Sequence, residues 1–244
     1  MSKVTLFNNL FYSKTTFNSD ISNWNVSAAT NMDYMFHGAS RFNADISLWN
    51  VGRVTTMKYM FYGASSFNSN ISTWNMGRLT TMPQMFQGAL SFNTDISNWD
   101  VGRVISMSNT FYGAKSFNTD ISRWNVSSVN TLYAMFNRAS NFSSNISSWN
   151  VESVTDMRWM FDRAENFNSD ISIWNVRSVT RWDDMFYSAT KFNQNLCAWG
   201  LKLPLNFTYT RWQGNLGKFA YSGCFNKNSP TSSAGPWCAV TTCS

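Results

Sequence analysis

Apolar residues recur along this chain at fixed places within a unit of 25 residues. In the stretch 42–66 they are Phe42, Ile46, Trp49, Val51, Val54, Met57, Met60, Phe61 and Ala64, and the same set returns one period earlier and later. The phrase Phe17-Asn18-Ser19-Asp20-Ile21-Ser22-Asn23-Trp24-Asn25-Val26 comes back from Phe42, Phe67, Phe92, Phe117, Phe142 and Phe167, and a damaged copy opens at Phe192. A fixed period of this size means one supersecondary unit stacked on itself, each copy unable to bury its apolar face alone. The pattern therefore predicts one elongated solenoid of about eight coils. It also moves the expected function from a pocket to a surface.

Two elements are expected in each coil. Met57, Met60, Phe61 and Ala64 fall at i, i+3, i+4 and i+7, the stripe of a short amphipathic helix. Asn31, Thr56, Thr81, Ser106, Thr131 or Asp156 precedes that stripe as an N-cap, and Gly38, Gly63, Gly88 and Gly113 suit its end. In the other half, Trp49 and Val51 alternate with polar neighbours, which predicts a short strand. Stacked strands sit about 4.8 Å apart and stacked helices need about 10 Å. The expected fold is thus an α/β solenoid, a leucine-rich-repeat-like curved stack with parallel strands on its concave side.

The repeat divides the chain into a partial first repeat at 1–16, seven full repeats at 17–191, and a degenerate last repeat with a C-terminal cap at 192–244. The first segment aligns with the second half of a coil, so either more repeats before Met1 or another subunit is expected to cover that end. Cys197, Cys224, Cys238 and Cys243 all lie in the last segment, with no zinc-site spacing, and His37 is the chain's one histidine. They read as disulfides stapling the cap, in an oxidising compartment.

The extended phrase Phe-Asn-x-Asp-Ile-Ser-x-Trp-Asn-Val-Ser-x-Val-Thr-x-Met-x-x-Met-Phe-x-x-Ala resembles the BspA-like surface-protein repeat. That family is a relative of leucine-rich repeats found in bacterial and protist cell-surface proteins. The resemblance spans roughly residues 4 to 200. It implies an extracellular or cell-surface, non-enzymatic protein that adheres to or recognises a protein or glycan, and it supplies no site residues.

Composition and charge add limits. Hydrophobic residues at 43% fill a continuous core, while charged residues at 13% leave the outside to Asn, Ser and Thr. The net charge of +6 permits attraction to acidic polymers, yet the basic residues gather only as Arg53, Arg78 and Arg103 on neighbouring coils, with Ser128, Ser153 and Ser178 next in register. No nucleic-acid partner is expected. No run of 18 apolar residues exists, so no membrane span is expected, and no leader segment is visible.

The candidate chemistry is sparse. The Trp column from Trp24 to Trp199 reads as core, because a buried position must be filled in every coil. Asp and Asn interchange in the column from Asp20 to Asn195, which suits a backbone-capping acceptor at a turn better than calcium. The column Asn25, Asn50, Asn75, Asp100, Asn125, Asn150 and Asn175 is expected to form a ladder between coils. Among six Asn-x-Ser/Thr sequons, Asn141 and Asn206 are the better glycan acceptors. No catalytic residue, metal site or cofactor is expected.

The ligand-reading candidates are Asn23, Leu48, Thr73, Asn98, Arg123, Ser148 and Ile173, one variable position per coil along the expected strand face. The alternative to recognition is a self-assembling filament subunit that stacks end to end on copies of itself.

Overall fold

A computed structural model of the chain describes residues 7–200. Within them the chain winds as a stack of 25-residue coils, but each coil is made of turns. The one helix among the described residues is α1, Cys197–Gly200. Sheet structure there is limited to parallel bridges that link successive coils at one place, from Asn31↔Thr56 through Asp156↔Arg181.

The expected strand and helix are therefore both replaced. Where the helix was expected, Tyr59 has φ 57° and Gly63 φ 65°, against about −63° in a helix. The Phe61 N–H does not reach back four residues to Met57. It donates to the carbonyl of Met85 in the next coil at 2.8 Å, flanked by Tyr59 N–H to Pro83 at 3.1 Å and Gly63 N–H to Gln87 at 2.7 Å. Alternate N–H groups close local turns instead: Met60 to Met57, Tyr62 to Tyr59 and Ala64 to Phe61. The helical spacing of the apolar residues survives because consecutive turns also aim residues 57, 60, 61 and 64 inward, where all four are 0–1% exposed. Neighbouring coils offer acceptors that an isolated segment lacks, and tertiary context overrides the local preference.

The opposite half of the coil is turned by its polar residues. The Asp45 carboxylate accepts the Ser47 N–H at 2.9 Å and the Asn50 side chain accepts the Gly52 N–H at 3.2 Å. Such Asx turns let a short side chain stand in for a backbone acceptor. Between them the Trp49 N–H closes on Ile46 at 3.1 Å. The column from Asn25 to Asn175 is thus local turn chemistry in most coils, not the expected ladder. A ladder exists seven positions earlier in the coil: Asn43, Asn68, Asn93 and Asn118 each donate their backbone N–H to the preceding coil's Asn side chain at 2.7–2.8 Å.

Two aromatic columns fill the interior. Phe61 and Phe67 stack at 3.8 Å within a coil, and each meets its counterpart in the next coil, Phe86 at 5.5 Å and Phe92 at 6.0 Å. The indoles of Trp99 and Trp124 lie 6.4 Å apart and 4° from parallel. Each indole N–H reaches back to an isoleucine carbonyl one coil earlier, Trp99 to Ile71 at 3.1 Å and Trp124 to Ile96 at 3.0 Å. The Trp column is core.

Identical side chains in identical poses are displaced by the local distance between coils. That distance is 4.6 Å at Tyr34–Tyr59, 5.6 Å at Phe36–Phe61 and 6.5 Å at Trp49–Trp74. The coils are wedges, narrow on the Tyr side and wide on the Trp side. Direct backbone hydrogen bonds need strands about 4.8 Å apart, and they run along the narrow side. On the wide side the gap is bridged by side chains: the Asn ladder, the indole N–H, and hydroxyls such as Thr94 Oγ1 to the Ser69 carbonyl at 3.1 Å. The stack therefore bends away from the Trp half. The expected curvature is reversed, because it assumed thick helices on the side that direct backbone bonds in fact draw together.

Candidate functional site

The seven candidate positions Asn23, Leu48, Thr73, Asn98, Arg123, Ser148 and Ile173 are all exposed and form one column. Leu48 is 79% and Ile173 67% exposed, apolar groups with no core to serve. The column lies beside the Trp residues, hence on the wide, convex side and not in a concave groove. Thr73 and Ser148 spend their hydroxyls on the preceding coil, donating to the Ser47 carbonyl at 2.9 Å and the Ser122 carbonyl at 2.8 Å. Shallow depressions of about 460 Å³ open beside this column, one lined by Leu48, Asn70 and Thr73, another by Asn145, Asp170 and Ile173.

The neighbouring carboxylates are turn caps. The N–H and hydroxyl of the serine two residues on hold Asp20, Asp45, Asp95 and Asp120 below the ordinary aspartate range. Among the described residues no group of three or more His, Cys, Asp or Glu is placed to hold a metal ion. Arg53, Arg78 and Arg103 are exposed in a row. Asn141 is exposed, with its backbone N–H bonded to Lys115 at 3.2 Å. Asn206, Cys224, Cys238, Cys243 and the cap they were expected to staple lie outside the described residues.

The narrow side carries a second variable surface, which the sequence hides as the polar face of a helix. Its columns run through the equivalents of Lys58, Tyr59 and Tyr62. At its start Tyr12, His37 and Tyr62 stack face to face at 4.5 Å each, beside Tyr34 on Tyr59. Burial depresses the His37 pKa, and the ring is neutral at pH 7. Stacked rings offer edges and hydroxyls, not faces, so this surface is no platform for stacked sugars.

Further along, the same columns become charged. Arg158 grips Asp156 with two bonds, Nε at 3.0 Å and Nη2 at 2.7 Å, and lies over the Tyr133 ring at 5.0 Å. Burial alone would raise the Asp156 pKa; the Arg158 bonds and the Arg158 and Arg181 charges outweigh it and hold it low. Asp162 has the opposite balance. Burial pushes its carboxyl up against the weaker help of Arg163 at 3.8 Å and Asn137 at 3.1 Å, and its Oδ1 is buried with no donor.

A raised folded pKa means that ionising Asp162 opposes folding. Its contribution is most favourable below the unfolded value of 3.8 and is lost as pH rises through the folded one. Asp162→Asn should stabilise the protein by about 1 kcal/mol at pH 7, and the gain should vanish below about pH 4. Urea titrations at the two pH values check this; equal gains at both would contradict the assignment.

The fold and its surfaces define a class: a repeat solenoid of stacked turns, with a constant aromatic core, nearly invariant turn-capping Asn columns and a few outward columns that change from coil to coil. Among the described residues no helix is long and apolar enough to cross a membrane. The chain belongs to the family described as Mycoplasma protein of unknown function, DUF285, which matches residues 1–99, 67–151 and 120–210. No curated protein matches the chain. Among solved structures, a leucine-rich-repeat protein of Leptospira interrogans is 10% identical over 73% of this chain, with a TM-score of 0.21, below what a shared fold gives. The chain spans 57% of that protein's length.

Proposed function

We propose that this is an extracellular or cell-surface, non-enzymatic recognition protein that adheres to a protein or glycan through its solenoid surface, in the manner of the BspA-like, leucine-rich-repeat-related proteins its repeat resembles. The observation that carries the reading is the division of labour within each coil. The Phe and Trp columns of the core keep one residue type throughout, while some outward columns change from coil to coil, as in the half-buried Lys58, Pro83, Ser108, Tyr133 and Arg158 and the exposed Leu48, Thr73, Asn98, Arg123 and Ser148. Variation there leaves the core intact, and a rigid scaffold that presents changing side chains suits binding more than turnover. Antibody labelling and protease shaving of intact source cells test the placement. Strong labelling before permeabilisation supports it; labelling only after lysis sinks it.

The proposal includes a C-terminal cap stapled by disulfides among Cys197, Cys224, Cys238 and Cys243. The expected result is no free thiol in the denatured, unreduced protein; four titratable thiols would contradict it. A second reading is a filament subunit that stacks end to end on copies of itself. Sedimentation as monomers at high concentration would rule this out.

A further inference from the structure

We propose that the arginine–aromatic cluster on the narrow side of the last described coils, formed by Tyr133, Arg158, Trp159, Arg163, Arg181 and Tyr187, docks a carboxylate-bearing polypeptide segment. The inference rests on the recognition reading above and gives it a site and a partner class.

The layering of charge comes first. The side chains of Asp156 and Asp162 lie underneath, 12% and 11% exposed, while those of Arg158, Arg163 and Arg181 are more open at 28%, 42% and 61%. A partner arriving from solvent meets cationic forks. These are also held in place: Arg158 by its two bonds to Asp156 and by the Tyr133 and Trp159 rings at 5.0 and 5.9 Å, Arg163 over Tyr187 at 5.5 Å. Trp159 is fixed in turn by its indole N–H, which donates to Asp184 at 3.2 Å. Guanidiniums fixed on aromatic rings lose little side-chain freedom on binding, and Tyr, Trp and Arg are the residues that dominate protein–protein contacts.

The charge sum selects among anionic partners. Arg138, Arg158, Arg163 and Arg181 are matched by Asp156, Asp162, Asp183 and Asp184, four against four. A polyanion such as a sulfated glycan needs a net positive field and finds none here. Single carboxylates that reach the Arg163 and Arg181 guanidiniums at short range gain two-pronged hydrogen bonds without it, while Arg158 keeps its fork on Asp156.

The test uses the whole chain and a fluorescein-labelled random glutamate–tyrosine copolymer, read by anisotropy at physiological salt, with labelled heparin in parallel. Binding of the copolymer in preference to heparin is expected. The double variant Arg163→Glu, Arg181→Glu should weaken it at least about tenfold. The same charge change on the convex side, Arg53→Glu with Arg78→Glu, should leave it within about twofold. Denaturation curves of both variants establish that they fold. Equal losses in the two variants would make the effect one of net charge and overturn the site. Heparin bound more tightly than the copolymer would overturn the partner class. No copolymer binding at about 100 μM would overturn the inference, while the recognition reading stands or falls on the labelling of intact cells.

Discussion

Trp99→Ala should destabilise the protein by about 3–5 kcal/mol, the largest single-residue effect expected among these substitutions. The indole is 3% exposed, packs 6.4 Å from Trp124 and 6.2 Å from Phe86, and donates to the Ile71 carbonyl. Truncation opens a cavity in the middle of a column and leaves that carbonyl without its partner. Trp99→Phe separates the two losses, because the ring is kept while the carbonyl is orphaned, at about 1–3 kcal/mol. Coils touch only their neighbours, so a break at Trp99 also weakens the coupling between the two halves of the stack. The denaturation curve of Trp99→Ala should broaden or split as well as shift. Leu48→Ala, 79% exposed, should stay within about 0.5 kcal/mol. Similar midpoints for the Trp99 and Leu48 variants would refute the core assignment.

Gly88→Val should cost about 2–3 kcal/mol by a different route. Gly88 has φ 70°, and a Cβ there would meet Gly63 at 3.7 Å, an ordinary contact. The cost is therefore conformational: a β-branched side chain is forced into the left-handed region while the Gly88 N–H must still reach Tyr112 at 2.7 Å. The same register holds Arg138 at 58°, Arg163 at 55° and Ser188 at 56°, so the position admits unbranched side chains at a smaller price. Gly88→Ala should cost about 1 kcal/mol and Gly88→Asn less, because Asn tolerates this region. Midpoints in urea, with unchanged slopes, measure the series. A valine as benign as asparagine would mean that this backbone is not left-handed.

Much of this was legible in the sequence, because a period needs no knowledge of what fills it. The coil length, the buried Phe, Trp and Met columns, and the turn-capping role of Asp45 all follow from residues that must recur wherever neighbours meet. The secondary structure was not legible, and Met57, Met60, Phe61 and Ala64 show why. Their spacing is satisfied by a helix that bonds to itself or by turns that bond to the next coil, and only the three-dimensional stack distinguishes these. The Asn ladder was placed at Asn50 when it runs through Asn43; both columns are nearly invariant, so the sequence alone did not separate a local acceptor from one that reaches across coils. The narrow face was missed for a related reason. Lys58, Tyr59 and Tyr62 look like the solvated side of a helix until turns line them up, and Arg158 over Tyr133 joins residues 25 apart in register.

The account turns on where the backbone N–H groups of the Met-Phe segment go. Scalar coupling across hydrogen bonds in the isotope-labelled protein reads this directly. The account predicts a coupling from the Phe61 nitrogen to the carbonyl carbon of Met85, one coil ahead, with matching couplings from Tyr59 to Pro83 and Gly63 to Gln87. A coupling from Phe61 to Met57 within the same segment would restore the helix and contradict the turn-built solenoid.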